Sequence, residues 1–233
     1  MKLHFDWKKF WNSKAFQNPL DSAGRSGSSI SDLYIYAHDI INGLGGINKK
    51  DVILDVGGGA GYLSMMLSPF VKKIYLTDYS SNMIKKASKN TKSYNNIEVY
   101  LDNILDLKKT RKKRVKFSKS IVGSVLQCLN DYQEIENIFK YFFLISKKGT
   151  RIIFTHNPDL TKKSKFIKSY NKLNWSKKRK KRSITIEKNT RFWIDYKKLK
   201  NIAKTIGFSK CKKCKIDNRL FQSSHMFDLV LEK

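Results

Sequence analysis

The residues best suited to bind a charged ligand are an acid and three glycines beside the first predicted strand. The acid is Asp55, near the end of an apolar run, and the glycines follow at alternate positions: Gly57, Gly59 and Gly61. Glycines allow the backbone to turn tightly and to approach a ligand closely. A dinucleotide would place its pyrophosphate over this turn, where the carboxylate of Asp55 would repel it. The pattern therefore favours a ligand with a cationic end.

A second acid, Asp78, follows the next predicted strand. In nucleotide-binding folds an acid about 20 residues beyond the glycine turn binds ribose hydroxyls, and one carboxylate can accept from both hydroxyls. A nucleoside with a cationic amino-acid end would satisfy both acids. Together Asp55 and Asp78 predict S-adenosylmethionine as the cofactor, in preference to NAD or FAD.

A histidine, His156, follows the fifth predicted strand. Substrates of such sheets bind outside the carboxyl ends of the strands, so His156 is predicted to face the acceptor. An imidazole with a pKa of about 6.5 suits a general base for a hydroxyl group. The other interpretation is that His156 only shapes the pocket, because a sulfonium is already a good leaving group.

Strands and helices must alternate from residue 51 onward to position these groups. Apolar runs predict strands at 52–56, 73–77, 97–101, 116–122, 149–155, 209–216 and 226–232. Helical periodicity predicts helices at 61–67, 82–89 and 133–145, and a further helix from the Asp195 cap to Gly207. This alternation is typical of an α/β protein with a doubly wound parallel sheet.

The chain is predicted to form a single domain of 1–233, in which 1–50 is a helical cap and 51–160 binds the cofactor. Residues 161–190 form a basic lid or insertion, and 191–233 supply the last helix and strands. In the cap, a helix is predicted to begin at Ser31 or Asp32. Four aromatic side chains of the cap are expected to pack on the core: Trp7, Phe10, Trp11 and Phe16.

The two acids, the glycine turn and the alternating elements resemble the class I S-adenosylmethionine-dependent methyltransferases. The resemblance covers 50–160 and, less closely, 190–233. It implies a Rossmann-like sheet of seven strands whose last strand, 226–232, is antiparallel. The layout is also similar to small methyltransferases associated with sugar and surface-polysaccharide genes, which implies a sugar-like acceptor and O- or N-methylation.

The resemblance implies further cofactor contacts. Tyr79 would pack near the adenosine, and Asp102 would accept from the adenine amine, although an Asp in this turn also suits a helix cap. The other implied contacts follow the third and fourth strands: Asn103, Ile104, Gly123 and Ser124. The family carries an acid near the start of the fourth strand, where this chain has Ser118. The segment after that strand lacks the Asn-Pro-Pro-aromatic motif of amino-directed nucleic-acid methyltransferases.

The candidate contacts with the acceptor are Arg25, Gln127 and His225. Arg25 lies in a glycine-serine loop and suits an anionic acceptor, and His225 precedes the last predicted strand. No metal site is predicted, because zinc needs four ligands and Cys211 and Cys214 form a single pair. Three cysteines form no disulfide framework and no signal-peptide core follows Met1, so the predicted location is the cytoplasm.

The net charge of +29 admits two explanations. The first explanation is a nucleic-acid partner, bound by the basic segment 161–183. Compositional bias is the other and the favoured one, because only eight of the 48 basic residues are arginines, whose fork suits phosphate and base recognition. We therefore expect a methyltransferase acting on a small molecule and spanning no membrane. An RNA methyltransferase and a non-catalytic cofactor-binding scaffold are the alternatives, and the oligomeric state stays open.

Overall fold

Seven strands form one sheet in the computed structural model, which describes residues 5–17, 29–171 and 173–233. The strands are β1 (Val52–Val56), β2 (Lys73–Asp78), β3 (Ile97–Leu101), β4 (Phe117–Gly123), β5 (Ser146–Pro158), β6 (Lys210–Cys214) and β7 (Met226–Glu232). Their order across the sheet is β3-β2-β1-β4-β5-β7-β6. Strands β1 to β5 are parallel, and β7 lies antiparallel between β5 and β6. This confirms the predicted doubly wound, Rossmann-like α/β sheet.

Nine α-helices are found in the described ranges. They are α1 (Trp7–Lys14), α2 (Ile30–Gly43), α3 (Tyr62–Leu67), α4 (Ser81–Asn90), α5 (Lys108–Lys112), α6 (Tyr132–Ile145), α7 (Phe166–Asn171), α8 (Lys177–Thr190) and α9 (Tyr196–Ile206). Short 3-10 turns also occur at Ser68–Phe70, Leu126–Cys128, Leu160–Lys165 and Phe221–Ser224. No helix in these ranges is long and apolar enough to cross a membrane.

The central strands are apolar on both faces because helices cover both faces. Successive side chains of a strand point to opposite sides, so Ile53 packs with α2 while Leu54 packs with α6 and α9. On β5, Ile153 likewise packs in the layer of α2, and Ile152 packs in the layer of α6 and α9. All four are completely or almost completely buried. The two apolar layers hold the strand ends in place at one edge of the sheet.

Helix α2 begins earlier than its periodicity predicts. Ser29 is the N-cap, and its hydroxyl accepts from the backbone N–H of Asp32 while the Asp32 carboxylate accepts from the N–H of Ser29. This reciprocal capping box satisfies two backbone donors. The predicted start at Ser31 or Asp32 was therefore wrong, because a cap lies outside the apolar repeat that it terminates.

The aromatic cluster of the cap is only partly as predicted. The rings of Trp7, Phe10 and Trp11 contact one another, with centroid distances of 5.8 Å and 5.1 Å from Phe10 to Trp7 and to Trp11. Phe16 is 80% exposed, so the expectation that it packs on the core was wrong. It follows the last turn of α1, where the chain leaves the surface that the other three rings share.

Candidate functional site

The carboxyl ends of the parallel strands open into a cavity of about 680 Å³. In the sheet, β2 and β3 lie on one side of β1, and β4 and β5 lie on the other side. Such a switch point leaves a crevice between the loops that diverge from it, and this is where ligands bind in open α/β sheets. The cavity is lined from the end of every strand from β1 to β5, including Gly57, Asp78, Asp102, Gly123 and His156.

The loop after β1 packs closely against its neighbours. Its first residue, Gly57, leaves no room for a side chain. The backbone N–H groups of Gly57 and Gly58 both donate to the carbonyl oxygen of Thr77, at 2.8 Å and 3.2 Å. Gly57 has a φ of 71°, and a Cβ there would lie 2.5 Å from Cγ2 of Val125. The loop therefore lies flat between the ends of β2 and β4, and both Gly57 and Gly59 line the cavity.

Gly61 has a different role from the other two. It is the N-cap of α3 with a φ of 86°, and it is not among the residues that line the cavity. A Cβ at Gly61 would lie 3.1 Å from Cγ2 of Thr91, at the end of α4. Gly61 therefore lies where α3 packs on α4, and its contact with the cofactor stays a prediction.

Asp55 faces the cavity from within the sheet. Its Oδ2 accepts a 2.7 Å hydrogen bond from the hydroxyl of Ser64 on α3. Burial raises the pKa of Asp55 to about 6, the Ser64 hydrogen bond opposes this, and the nearby Asp78 adds to the rise. Ser64 was not identified from the sequence, although a buried serine in an otherwise apolar helix is a signal for such a contact.

Asp78 is held by the backbone on both of its oxygens. Gly59 N–H donates to Oδ2 at 3.1 Å and Ser80 N–H donates to Oδ1 at 2.8 Å. Burial raises its pKa to about 6, against the effect of these hydrogen bonds. No lysine or arginine of the described ranges forms an ion pair with Asp78 or Asp55. The two acids thus fit a ligand that brings its own positive charge and its own hydroxyl donors.

Tyr79 and Asp102 line the cavity beside these acids. Burial raises the pKa of the Tyr79 phenol, which therefore stays a neutral donor. Both oxygens of Asp102 are already engaged at the start of α5: Oδ2 accepts from the N–H and the hydroxyl of Thr110 at 2.8 Å, and Oδ1 from the N–H of Asn103 and Lys109. The geometry thus supports the helix-capping interpretation of Asp102, and Asn103 and Ile104 line the cavity next to it.

The segment after β4 closes the cavity from the opposite side. Both Gly123 and Ser124 line it. Ser124 has a φ of 57°, and its N–H donates to the carbonyl of Thr155 at 3.2 Å. Ser118, at the position where the resembled family carries an acid, donates from its hydroxyl to Oδ1 of Asp51 at 2.8 Å. An acid, Asp51, therefore lies beside Ser118, directly before β1.

His156 lies at an irregularity of β5. The pairing of β5 with β7 shifts register between Phe154 and Asn157, and His156 has a φ of 54°. Its N–H donates to Oδ1 of Asp228 on β7 at 2.7 Å. Its ring lies 4.9 Å from that of Tyr36. His156 lines the cavity, its role toward the acceptor stays a prediction, and Asp228 and Tyr36 are contacts that the sequence did not identify.

The three predicted acceptor contacts separate in the structure. Gln127 lines the cavity, and its Oε1 accepts from Arg191. His225 is completely buried beneath the rings of Phe166 and Phe221 and is not among the residues that line the cavity, so its contact with the acceptor stays a prediction without support from this geometry. Burial and the positive charge of Arg191 lower the pKa of His225 to about 3. Arg25 lies outside the described residues.

The basic segment packs on the His156 side of the cavity. Its aromatic side chains Phe166 and Tyr170 are buried with Leu173 and Trp193 in a small apolar cluster. Ile194 bridges to Asp159 at the end of β5. The segment is therefore held in place by apolar contacts of its aromatic side chains.

No three His, Cys, Asp or Glu side chains of the described ranges are grouped in a way that would hold a metal ion. Cys211 and Cys214 both lie on the edge strand β6, and burial raises the pKa of Cys211 to about 11. Both cysteines are free in the structure.

Residues 47–204 match the family model that describes a methyltransferase domain. A relative from Methanococcus vannielii, named as a probable cobalt-precorrin-6B C(15)-methyltransferase (decarboxylating), is 29% identical over 132 residues. This alignment covers 56% of the present chain and 66% of the relative, slightly less than two thirds of its length.

Solved structures share the fold at low sequence identity. The magnesium protoporphyrin IX methyltransferase of Synechocystis, with bound S-adenosylhomocysteine, has a TM-score of 0.65 at 14% identity; the match covers 99% of the present chain and 96% of that chain. The N-methyltransferase NodS of Bradyrhizobium japonicum, also with bound S-adenosylhomocysteine, has a TM-score of 0.63 at 13% identity and 97% coverage of both chains.

Proposed function

The chain belongs to the methyltransferase domain family, and on this premise we propose that it methylates a small molecule held beside His156. It is a methyltransferase that uses S-adenosylmethionine. When bound, that cofactor supplies an electrophilic methyl group on a sulfonium. The residues that would hold it are Asp55 and Asp78 with the Gly57 loop, since these combine buried negative charge with close backbone approach.

One observation carries the proposal: the acids and His156 line the same cavity. Adjacent strands lie about 4.8 Å apart, so the ends of β2 and β5, three strands apart, are separated by roughly 14 Å. This span accommodates a nucleoside at one end and an acceptor at the other. Buried walls exclude water and orient the two reactants, which is most of what methyl transfer requires from a protein.

The role of His156 in this proposal is to receive a proton from an acceptor hydroxyl or to orient the acceptor. The cavity position of the ring supports both roles. The Asp228 hydrogen bond holds the backbone of His156, and the Tyr36 ring contacts its imidazole and limits its orientation. Orientation of this kind is a requirement for general base catalysis.

For the acceptor we retain a sugar or polysaccharide precursor as the first hypothesis. The names of the relatives widen the range, because they point to tetrapyrroles for the proteins of Methanococcus vannielii and Synechocystis. All of these are small molecules. The membership in a methyltransferase family favours an enzyme over the non-catalytic scaffold considered above.

The proposal is tested first by calorimetric titration with S-adenosylhomocysteine. Asp55→Asn and Asp78→Asn are each expected to weaken binding by about 1–3 kcal/mol, the scale of a lost hydrogen bond to a charged group. Asp106→Asn is the matched control, because Asp106 is exposed and lies outside the cavity. Unchanged affinity in both cavity variants would refute the assignment of the cofactor site.

A second experiment separates small molecules from RNA. Methyl transfer from radiolabelled S-adenosylmethionine is measured with a small-molecule cell extract and with total RNA as acceptors. Labelling of the small-molecule fraction alone is the expected result. Labelling of RNA alone would favour the RNA methyltransferase, whose support in the structure is the exposed lysines of α8, among them Lys177, Lys178 and Lys181.

A further inference from the structure

Most of the charged side chains that line the cavity are divided along the edge of the sheet, and Lys14 on α1 and Glu134 on α6 fall outside this division. Asp55, Asp78 and Asp102 belong to β1, β2 and the end of β3, on one side of the cavity. Arg179 and Arg182 come from α8 and line it from the basic segment, whose Phe166 ring contacts His225 directly before β7. One end is thus acidic and suits a cationic ligand, while the other is basic.

The basic end uses arginine in a chain that is otherwise rich in lysine. The sequence contains eight arginines and forty lysines, yet the described residues that line the cavity include three arginines, with Arg191 the third, and one lysine, Lys14. Compositional bias toward lysine cannot account for this reversal. Arginine differs from lysine in its planar fork of donors, which matches the oxygens of a carboxylate or a phosphate.

Helix α8 separates its arginines from its lysines. Arg179, Arg182 and Ser183 are spaced three and four residues apart, which places them on one helix face, and all three line the cavity. Lys177, Lys178 and Lys181 do not line it, although they are exposed to solvent as Arg179 and Arg182 are. The basic segment therefore carries two distinct sets of charges, of which only the arginines face the cavity.

Aromatic rings accompany these arginines. The guanidinium carbon of Arg179 lies 4.1 Å from the ring centroid of Trp175, and the rings of Trp175 and Tyr170 are 5.8 Å apart. Both rings line the cavity, as does Phe221, whose centroid lies 6.0 Å from that of Tyr170. A guanidinium stacked on a ring is held with its N–H donors at the edge of the stack, where an anionic group attached to a flat molecule would meet them.

Other polar side chains also line the cavity, among them Glu134 and Arg191. The carboxylate of Glu134 accepts from the N–H and the amide group of Asn130, at 2.7 Å and 3.0 Å. Arg191 donates to Gln127 and is thereby oriented at the cavity wall. A guanidinium has five donors, so this bond and a ligand contact are compatible.

We infer that the acceptor is an anionic small molecule with a flat apolar body, whose carboxylate or phosphate is bound by Arg179, Arg182 and Arg191 against Trp175 and Tyr170. This inference rests on the proposed function, because it concerns the acceptor of the same site, and it favours a flat anionic acceptor over the sugar-like one. It makes the three arginines specificity-determining residues. The lysines of α8 have no part in this recognition.

The test uses three naphthalene probes that differ in one substituent: 2-naphthoate, 2-naphthyl phosphate and neutral 2-naphthamide. Their binding to the full chain saturated with S-adenosylhomocysteine is measured by calorimetry. At least one charged probe is expected to bind about tenfold more tightly than the amide, the scale of one or two charge-assisted hydrogen bonds. The tighter of the two anions identifies whether the natural group is a carboxylate or a phosphate.

Two double variants then separate the arginines from general electrostatic attraction. Arg179→Gln with Arg182→Gln is expected to weaken the favoured anion by about tenfold and to leave the amide and S-adenosylhomocysteine within about twofold. Lys178→Gln with Lys181→Gln removes the same charge from the same helix and is expected to change none of the three by more than about twofold. Unchanged binding of S-adenosylhomocysteine also establishes that the variants are folded.

The inference is overturned if the wild-type chain binds the amide as tightly as both anions, or if the lysine variant loses as much anion affinity as the arginine variant. The first result is independent of whether the arginine variant folds, and the second is read only when that variant still binds S-adenosylhomocysteine. Failure of S-adenosylhomocysteine to bind would instead overturn the proposed function. The two failures are therefore distinguishable.

Discussion

The backbone N–H of His156 donates a 2.7 Å hydrogen bond to the Oδ1 atom of Asp228. His156 has a φ of 54°, a conformation that is unfavourable for a side-chain-bearing residue. Asp228 lies on β7, opposite the irregularity in β5, and is buried. A carboxylate on the neighbouring strand thus stabilises the backbone conformation that directs the histidine toward the cavity.

Replacement of Asp228 should show this stabilisation. Asp228→Ala is expected to lower the free energy of unfolding by about 1–3 kcal/mol, because it leaves a buried N–H without its acceptor. Asp228→Asn keeps an acceptor oxygen and should lose markedly less. Urea denaturation of both variants measures the difference, and equal losses would mean that the contribution of Asp228 is not through this hydrogen bond.

Cofactor affinity should depend on pH through Asp55 and Asp78. Burial raises the pKa of both to about 6, and a protonated carboxyl does not attract a cation. Binding of S-adenosylhomocysteine is therefore expected to weaken as the pH falls through about 6. Ser64→Ala removes the hydrogen bond that opposes the rise in the pKa of Asp55 and should shift this transition to higher pH. A transition that Ser64→Ala leaves in place would exclude Asp55 as its origin.

A methyl group at Gly57 should abolish cofactor binding. Gly57→Ala places a Cβ 2.5 Å from Val125 at a φ of 71°, so the loop must move away from its position between β2 and β4. Gly46→Ala is the matched control, because Gly46 has a φ of 89° and a Cβ there would meet no atom within 4 Å. The control should lose only about 1 kcal/mol of stability from backbone strain and retain full affinity in calorimetry. Equal affinities for the two variants would contradict the role of the Gly57 loop.

His156→Ala tests the general base. Once an acceptor has been identified, loss of a base should lower kcat by about 10²–10⁴-fold and remove the acidic limb of the pH profile, with unchanged affinity for the cofactor. A positional role predicts partial rescue by His156→Asn or His156→Gln. Full activity with an unchanged pH profile in His156→Ala would exclude the residue from the mechanism. His225 should not take its place, because it is buried outside the cavity with a pKa lowered to about 3.

The outward lysines of α8 should bind RNA only weakly. Filter binding of a structured RNA is expected to be unselective and to decline steeply with salt, as for general phosphate attraction. Replacement of Lys177, Lys178 and Lys181 by Gln should reduce this binding and leave S-adenosylhomocysteine affinity unchanged. Tight, sequence-selective binding that these changes abolish would overturn the small-molecule proposal.

Much of the fold and the acidic end of the site was determined by local sequence. Apolar runs separated by helical repeats require a parallel sheet, and a parallel sheet brings the ends of its strands to one edge. Asp55, Gly57 and Asp78 lie at or directly after the ends of such strands, so their convergence needed no knowledge of distant contacts. The start of α2 was predicted wrongly because its cap residue, Ser29, lies outside the apolar repeat of the helix.

The tertiary structure decided what depends on partners far away in sequence. The contact of Asp228 with His156 joins residues on different strands across a register shift that no local pattern records. Gly61 looks like its neighbouring glycines in the sequence but packs against Thr91. Whether Arg182 faces the cavity also depends on how α8 packs on the rest of the protein. No local sequence pattern distinguishes this arginine from the lysines around it. Sequence periodicity specifies which residues share a face, and only packing specifies what that face meets.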